Sequence, residues 1–431
     1  MTGNFISQLA NSVGQLVTLK AWVYNFRSSG SIYFLEARDG TGFIQAVVDK
    51  KSVAPAVWND CQKLTIESSV ILTGQVTAHP KKPGVFELQV TELAIVQVAA
   101  EYPIGKKEHG PDFLLEHRHL WLRSPRQWAI QRVRNTIINA TYQFLNQRGF
   151  IKIDAPILTP TSCEGTSTLF ELDYFDLGKA YLTQSGQLYL EAAIFSHGRV
   201  FDFGPVFRAE KSKTRRHLTE FWMMDAEAAF VEHEENMAIQ EALVCHLVSQ
   251  VLAKNQEELL ILERDQEPLK KVKPPFYHLT HLEAVKELRK LGSDIKEEDD
   301  LGGDDETLLT KQYDKPIFIE KYPASVKAFY MKRDPGDQSR VLCADLLASE
   351  GYGEIIGGSQ REDDYDTLLS RLKKNNLSVE AFQWYLDLRR YGSVPHSGFG
   401  YGLERLVAWL CGLEHVRETI PFPRLINRLY P

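Results

Sequence analysis

The stretch 200–230 carries the residues whose types and spacing are best suited to chemistry. Two β-rich segments flank a basic loop, which predicts a β-hairpin. Because alternate side chains of a strand share a face, each strand presents a row of functional groups. These groups belong to Arg208 and Glu210 on the first strand and to Phe221, Asp225 and Glu227 on the second. An arginine fork, carboxylates and a ring on one surface suit a polyanion with an aromatic base, such as a nucleotide.

The loop between the two strands is long and basic. It holds four cations followed by a histidine: Lys211, Lys213, Arg215, Arg216 and His217. Such a loop is either a solvated hairpin turn or part of a binding site, since long loops in compact domains are often functional. The residues alone leave both interpretations open.

The motif FRAE, the basic loop and the run RHLTEFWMMDAE together resemble motif 2 of the class II aminoacyl-tRNA synthetases. By position in that motif, Arg208 would contact the α-phosphate of ATP and Glu210 would contact adenine. The resemblance further implies that Arg216 and His217 meet the γ-phosphate and that Phe221 stacks on adenine. A catalytic nucleotide site is therefore expected at this hairpin.

The composition is that of an ordinary globular protein, with 43% hydrophobic and 25% charged residues in a chain long enough for two or three domains. No apolar run of about 18 residues predicts a membrane span, and no signal peptide is evident. Five scattered cysteines without a CxxC pair indicate a reducing compartment, so we expect a cytoplasmic protein. A net charge of −7 means that any nucleic acid must be bound by local basic patches.

Residues 15–96 read as five short strands with one helical segment, which fits an OB-type barrel or another small β module. The run AWVYNFRSSGSIYFLEARDGTGFIQAVV resembles the anticodon-binding barrel of the Asp/Asn/Lys subgroup of the same family. That resemblance implies that Phe34 stacks on the central anticodon base, that Gln45 reads this base and that Arg27 contacts phosphate. Since Tyr33 points to the face opposite Phe34, one of the two rings should be exposed.

The chain is expected to form an α+β protein: an N-terminal OB-type β-barrel followed by a class II catalytic domain with an antiparallel β-sheet flanked by helices. A helix over 126–147 and the segment that ends at Pro156 resemble motif 1, which implies a homodimer. The expected parts are the barrel at 1–97, a hinge at 98–125, and the catalytic domain at 126–431 with an insertion at about 263–312.

Two further segments resemble parts of an amino-acid site. The first, TSCEGT, resembles a mobile loop, and its Glu164 would meet the α-ammonium group. The second, QSGQLYL, resembles the substrate strand of the family, from which Ser185 and Gln187 would face the substrate. Read without the resemblance, each is an ordinary polar loop or strand end.

The segment GFGYGLER at 398–405 resembles motif 3, in which Arg405 would stack on adenine opposite Phe221. The resemblance also implies that Asp345 and Glu354 hold the Mg²⁺ that bridges the ATP phosphates. Carboxylate oxygens are suitable ligands for this hard cation. The catalytic residues implied by the two motifs are Arg208, Glu210 and Arg405.

Three positions bear on which amino acid is activated. A lysine enzyme would need acids where Arg361 stands, and aspartate enzymes carry a lysine at the position of Leu190. One arginine and one carboxylate match a neutral amide, since Arg361 would donate to its carbonyl and Asp225 would accept from its NH₂ group. Asparagine-specific members more commonly carry glutamate at the position of Asp225, so the chain departs from them there.

We therefore expect an enzyme that uses ATP and Mg²⁺ to activate asparagine and transfers it to the 3′ end of tRNA(Asn). The alternatives are an aspartate-specific or non-discriminating enzyme, and an amino-acid amidating relative that the barrel argues against. A protein of another class, a non-catalytic OB-type RNA-binding protein, is disfavoured by Arg208, Glu354 and Arg405. No membrane association is expected.

Overall fold

The computed structural model describes residues 4–105, 107–161, 163 and 168–431. The chain divides into two compact units, Met1–Leu115 and Glu116–Pro431. Within the described part, no helix has the length and apolar character needed to cross a membrane.

The N-terminal unit is a closed five-stranded barrel with strand order β1-β2-β3-β5-β4. Its elements are β1 (Leu16–Ser29), β2 (Ile32–Arg38), β3 (Phe43–Asp49), α1 (Pro55–Cys61), β4 (Ser69–Ala78) and β5 (Phe86–Gln97). Alternate residues of β1 point inwards, so Val17, Leu19, Ala21 and Val23 lie in the barrel core. The predicted OB-type barrel is confirmed.

The C-terminal unit is built on an eight-stranded sheet that is mostly antiparallel. The strands of this unit are β6 (Ile151–Lys152), β7 (Leu158–Thr159), β8 (Glu171–Asp173), β9 (Lys179–Leu182), β10 (Arg199–Phe207), β11 (Glu220–Ala229), β12 (Tyr277–Thr280), β13 (Ile317–Glu320), β14 (Arg333–Asp334), β15 (Asp337–Val341), β16 (Cys343–Ala348), β17 (Gly353–Gln360) and β18 (His396–Gly402). The sheet order is β12-β13-β16-β17-β18-β11-β10-β6, with parallel pairs only at its two ends. Strands far apart in sequence, β11 and β18, are therefore central neighbours.

Helices flank this sheet, as the α+β prediction requires. The helix α2 (Pro111–Glu116) spans the boundary between the two units, and the helices of the C-terminal unit are α3 (Arg118–Trp121), α4 (Pro125–Gln147), α5 (Gln187–His197), α6 (His233–Lys254), α7 (Gln256–Ile261), α8 (Glu267–Lys270), α9 (His281–Lys290), α10 (Gly303–Thr310), α11 (Tyr365–Lys374), α12 (Gln383–Arg390) and α13 (Leu403–Cys411). The helix α4 begins where predicted, because Ser124 caps it and Pro125 occupies its first turn. Apolar residues of α4, α6 and α13, such as Ile137, Leu247 and Trp409, form the main core with the sheet.

The structure differs from the sequence-based expectations in three segments. The region 98–125 is not only a hinge, because it contains α2 and α3. The predicted strand QSGQLYL is wrong: α5 begins at Gln187, and Gly186 precedes its first turn. The region 263–312, expected as an insertion, supplies the edge strand β12 and the helix α10 to the catalytic unit.

Candidate active site

A cleft of about 280 Å³ lies beside the β10–β11 hairpin and is also lined by residues of β17, β18 and α13. Seven residues on its walls are those that the sequence assigned to ATP: Arg208, Glu210, Arg216, His217, Phe221, Glu354 and Arg405. Three segments that are distant in sequence thus meet at one cavity.

The hairpin itself positions the first of these residues. The β10–β11 register ends at the pair Phe207 and Glu220, and the Arg208 backbone N–H then donates to the Thr219 carbonyl over 2.9 Å. On β11, Phe221 is partly buried, and a Cβ added at Gly402 of β18 would lie 3.5 Å from its ring. Gly402, which has no side chain, therefore leaves space beside this ring.

Arg405 and Glu354 face each other in the cleft. Arg405 Nη1 donates to Glu354 Oε2 over 2.7 Å and to the Glu354 carbonyl over 3.1 Å. Burial opposes ionisation of Glu354, but Arg405, Lys327 and Arg208 together outweigh it and hold the pKa of this carboxyl below its ordinary value. The pair therefore places a cation and an anion side by side on the cleft wall.

Glu210 and His217 each carry a polar atom on the cleft wall that has no hydrogen-bond partner in the described part of the chain. Glu210 Oε2 and His217 Nε2 are buried, and neither makes a hydrogen bond to the residues that the structure describes. Burial also lowers the pKa of His217. Since buried polar atoms normally have a partner, these two atoms are suited to meet a polar ligand.

The two acids predicted to hold a metal approach the same glycine. A Cβ added at Gly357 would lie 3.1 Å from Glu354 Oε1 and 3.7 Å from Asp345 Oδ1. Lys327 donates to Asp345 Oδ2 over 2.8 Å, yet burial and the charge of Glu354 raise the pKa of Asp345 to about 6. Over the described residues, no group of three or more His, Cys, Asp or Glu side chains is arranged to hold a metal ion. Two carboxylates thus lie next to the space that Gly357, which has no side chain, leaves open.

The start of α5 binds the carboxylate of Asp225. Ser185 Oγ donates to Asp225 Oδ2 over 2.9 Å, and the Gly186 backbone N–H donates to the same oxygen over 2.8 Å. The Gln187 backbone N–H donates in turn to Ser185 Oγ over 3.0 Å. A helix N-terminus stabilises an anion in this position. Three residues predicted for the amino-acid site, Ser185, Gln187 and Asp225, are thus brought together.

Arg361 is buried and forms a two-point ion pair with Glu227. Its Nη2 donates to Glu227 Oε1 over 2.5 Å and its Nε to Glu227 Oε2 over 3.3 Å, while Nη1 donates to Ser359 Oγ over 2.6 Å. Burial opposes the charge of both partners: it raises the pKa of Glu227 to about 8, whereas Glu227 keeps the pKa of the Arg361 guanidinium above its ordinary value. The two-point contact itself favours the charged form of each side chain. The charge of Arg361 is therefore already offset within the protein.

Glu191 links these residues to the elements behind them. Its Oε1 accepts from Gln187 Nε2 over 3.0 Å, and its Oε2 accepts from Tyr385 OH, Arg389 Nη2 and His396 Nε2 over 2.7, 2.6 and 3.0 Å. Burial opposes its ionisation, but Arg389 and His396 hold the pKa of Glu191 well below its ordinary value. A buried network of charged and polar side chains thus links α5 to α12 and β18.

The alternate glycines of β18 make room for two carboxylates. A Cβ at Gly398 would lie 2.0 Å from Glu227 Oε1, and one at Gly400 would lie 2.4 Å from Asp225 Oδ1. The register agrees, since Asp225 pairs with Gly400 and Glu227 with Gly398. Side chains of β11 therefore fill the space that these glycines leave.

The sequence linked two further positions, Glu164 and Leu190, to the amino-acid site. Glu164 lies outside the described residues. Leu190 is fully buried and packs with Ile194 and Val200 in a small apolar cluster. The structure therefore gives Leu190 a packing role.

The residues assigned to the anticodon share the outer face of the barrel. The Arg27 guanidinium carbon lies 4.0 Å from the centre of the Phe34 ring, directly across from it on the neighbouring strand. Phe34 is partly exposed, whereas Tyr33 packs against the core, 4.7 Å from Trp58 between ring centres. Gln45 lies on the face of Phe34, and its amide donates to Glu87. An aromatic ring, a cation and an amide are thus grouped on one surface.

Comparison with known families shows which kind of protein carries this cleft. Residues 110–426 match the family described as tRNA synthetases class II (D, K and N), and residues 17–96 match the OB-fold nucleic acid binding domain. This chain belongs to the class II tRNA synthetases of the D, K and N group.

Similar proteins cover the whole length of this class II synthetase. An asparagine–tRNA ligase from Pelotomaculum thermopropionicum is 55% identical over 99% of both chains. The asparaginyl-tRNA synthetase of Pyrococcus horikoshii, solved with asparaginyl-adenylate, is 46% identical with a TM-score of 0.96 over 100% of both chains. An aspartyl-tRNA synthetase from Entamoeba histolytica is 29% identical with a TM-score of 0.83, covering 100% of this chain and 93% of that one. The two asparagine enzymes are more similar to this chain than the aspartyl-tRNA synthetase is.

Sequence reasoning missed several residues of this synthetase that support its pocket. In a helix, residues four apart share a face, so assigning α5 as a helix would have joined Gln187 to Glu191. Glu306, which contacts Arg216, lies in the segment taken for an insertion. No local signal connects Glu191 to Arg389 or His396, because these contacts depend on how distant elements pack.

Proposed function

We propose that this class II synthetase is an asparagine–tRNA ligase. It forms asparaginyl-adenylate from asparagine and ATP, and then transfers the asparagine to the 3′ end of tRNA(Asn). The observation that carries the proposal is the 55% identity, over 99% of both chains, to a protein that bears this name. The grouping of the predicted nucleotide and amino-acid residues in the catalytic unit supports it.

In the first step, the asparagine α-carboxylate attacks the α-phosphorus of ATP and pyrophosphate leaves. Arg208 is proposed to contact the α-phosphate, and Arg216 and His217 the γ-phosphate. Cations fixed on the cleft wall stabilise the charge that develops on the phosphate oxygens. No side-chain nucleophile is needed, since positioning the two reactants removes much of the barrier.

The adenine base is proposed to lie between Phe221 and Arg405. The Phe221 ring and the planar guanidinium of Arg405 both line the cleft and are both suited to stacking. Glu210, which has a buried oxygen without a partner among the described residues, would accept from the adenine amino group.

Asp345 and Glu354 are proposed to hold Mg²⁺. Their oxygens converge on the space beside Gly357, and hard oxygen ligands suit this ion. The raised pKa of Asp345 reflects burial next to a second carboxylate, a repulsion that a cation would relieve. Bound there, Mg²⁺ would supply positive charge to the ATP phosphates. Lys327 holds the Asp345 carboxylate by a hydrogen bond, and Arg405 holds the Glu354 carboxylate in the same way.

The side-chain pocket is proposed to select a neutral amide. Of the five N–H groups of an arginine, Arg361 uses three on Glu227 and Ser359. The other two have no acceptor among the described residues and are proposed to meet a substrate carbonyl. Asp225 would accept from the amide NH₂. An aspartate carboxylate about 4 Å from Asp225 would instead cost roughly 4 kcal/mol at an effective dielectric of 20. Because Glu227 offsets the charge of Arg361, little attraction compensates for this repulsion.

The other end of asparagine is proposed to be bound by residues around the start of α5. Ser185 and Gln187 would face the substrate, and Glu164 would meet its α-ammonium group. The bond from Gln187 Nε2 to Glu191 supports this arrangement by fixing the glutamine amide.

The barrel is proposed to bind the anticodon of tRNA(Asn). Phe34 would stack on the central base, Gln45 would read it and Arg27 would contact phosphate. The partly exposed ring, with a cation 4.0 Å from its centre, has the chemistry of single-strand recognition.

We also propose that the enzyme is a cytoplasmic homodimer. The resemblance of α4 and β6 to motif 1 supports the dimer, as does the position of β6 at an edge of the sheet. The five free cysteines suit a reducing compartment, in which ATP and tRNA are available.

The experiment that tests this function has two readouts on the purified chain. Asparagine-dependent exchange of pyrophosphate into ATP measures the first step, and charging of tRNA(Asn) measures the second. Both are expected. Binding of tRNA without any exchange would identify a non-catalytic RNA-binding protein instead.

A further inference from the structure

Arg216 is held on the cleft wall by groups from two other segments. Its Nη1 donates to Glu306 Oε2 over 2.6 Å. Its Nη2 donates to Thr307 Oγ1 over 2.6 Å and to the Gly351 carbonyl over 2.7 Å. Glu306 and Thr307 belong to α10, which lies in the segment that the sequence suggested was an insertion.

The three bonds leave part of the guanidinium available. An arginine has five N–H groups, so the Nε–H and one Nη1–H of Arg216 have no acceptor among the described residues. Arg216 lines the cleft together with Arg208 and Arg405. One edge of the guanidinium is thus anchored while donors remain for an anion.

The backbone is shaped around this ion pair. Gly353 has a φ of +72°, and a Cβ there would lie 2.2 Å from Glu306 Oε2 and 2.3 Å from Arg216 Nη1. Only glycine fits at such a position without strain. The same Glu306 oxygen accepts from the Glu354 backbone N–H over 3.0 Å. The carboxylate is therefore itself fixed by the start of β17.

We propose that Glu306 is a positioning residue of the nucleotide site, which acts by holding Arg216 in place before ATP binds. Charges that are fixed in advance stabilise a transition state better than charges that must reorganise. Without Glu306, the long side chain of Arg216 would have to be ordered at the expense of binding free energy. The inference rests on the proposed function, because it takes the anion at Arg216 to be a phosphate of ATP.

The test is a double-mutant cycle on asparagine-dependent pyrophosphate–ATP exchange. We expect Glu306→Ala to raise the KM for ATP about tenfold or more, as loss of a charged hydrogen bond does, with the KM for asparagine changed less than about twofold. The Glu306→Ala, Arg216→Ala double variant should be no worse than Arg216→Ala alone within about threefold, because one residue acts through the other. Glu306→Gln, which keeps an acceptor oxygen, should restore most of the affinity for ATP.

A matched control and a second variant keep the result interpretable. Glu258 is also buried and paired with an arginine, Arg132, but it does not line the cleft, so Glu258→Ala should leave both KM values unchanged. If Glu306→Ala fails to fold, Thr307→Val removes one bond to Arg216 at nearly constant volume. It should raise the KM for ATP and show the same non-additivity.

Multiplicative losses in the double variant, or an equal rise in the KM for asparagine, would overturn the positioning role. Absence of exchange in the wild type would instead contradict the proposed function. In that case, titration of the same variants with ATP still tests whether Glu306 supports nucleotide binding. Equal ATP affinity of the wild type and Glu306→Ala would then refute the inference.

Discussion

Glu227 contacts Arg361 through both of its carboxylate oxygens, at 2.5 and 3.3 Å, in a fully buried part of the catalytic unit. The arginine that would face a substrate side chain is therefore not a free cation. This relationship, together with Asp225 nearby, gives the site the charge balance of a pocket for a neutral amide.

Removing the charge of Glu227 should weaken discrimination against aspartate. In Glu227→Gln, Arg361 loses its counter-ion and attracts a substrate carboxylate more strongly. We expect the ratio of asparagine- to aspartate-dependent exchange to fall about tenfold or more, which corresponds to about 1.4 kcal/mol of electrostatic free energy. Glu362→Gln is the matched control, because Glu362 is also a buried carboxylate paired with an arginine, but its partner is Arg371 and not Arg361. An unchanged ratio in Glu227→Gln would contradict the charge-balance argument.

Arg405 should be needed for adenylate formation and not for folding. Arg405→Ala removes the proposed stacking partner of adenine and the hydrogen bonds to Glu354. We expect exchange to fall about 100-fold or more, the loss seen when a group that stabilises the reacting charge is removed. We expect a similar loss of exchange in Arg208→Ala. The melting temperature should stay close to that of wild type, and the exposed Arg390→Ala serves as the control. Near-normal exchange in both cleft variants would refute the assignment of the nucleotide site.

The requirement for Mg²⁺ should depend on Asp345. Asp345→Asn keeps the shape of the side chain but removes a charge beside Gly357, so we expect a higher Mg²⁺ concentration for half-maximal exchange. Asp300 is the matched control, since it also pairs with Lys327, at 3.2 Å, but it does not approach Gly357. An equal shift in Asp300→Asn would assign the effect to Lys327 rather than to metal binding.

Phe34 should act on tRNA and leave amino-acid activation unchanged. Loss of a base–aromatic stack costs about 1–3 kcal/mol, so Phe34→Ala should lower kcat/KM for tRNA charging by about fivefold or more at constant exchange activity. Tyr33→Ala is the contrasting variant. Because Tyr33 packs against the barrel core, its removal should lower the melting temperature. Destabilisation by Phe34→Ala with loss of both activities would make Phe34 a structural residue.

The parts of the fold that follow from local pattern were predictable from the sequence. Alternating residues and turn signals located the five strands of the barrel, and Ser124, Pro125 and Gly149 marked the ends of α4. The family resemblance predicts a strand at QLYL, and this short apolar run fits the period of a helix as well as that of a strand. The hairpin pattern and the resemblance also led to seven residues that the structure places around one cleft, though their individual roles stay predictions.

The rest of the site depends on contacts between distant elements. Glu306 meets Arg216 across 90 positions of the chain, and Glu191 meets His396 across 205. Such pairs follow from sheet order and helix packing, which no local window of sequence contains. The glycines of β18 illustrate the same limit, since their need for space was evident but the carboxylates that fill it lie on β11.

The most direct test of the account is the amino-acid preference of the wild-type enzyme in pyrophosphate–ATP exchange. A pocket with one offset arginine and one carboxylate acceptor is predicted to activate asparagine at least about 10⁴-fold better than aspartate in kcat/KM, because an aspartate carboxylate cannot donate to Asp225 and adds a charge. Equal or preferential activation of aspartate would contradict the proposal that Asp225, Glu227 and Arg361 select an amide.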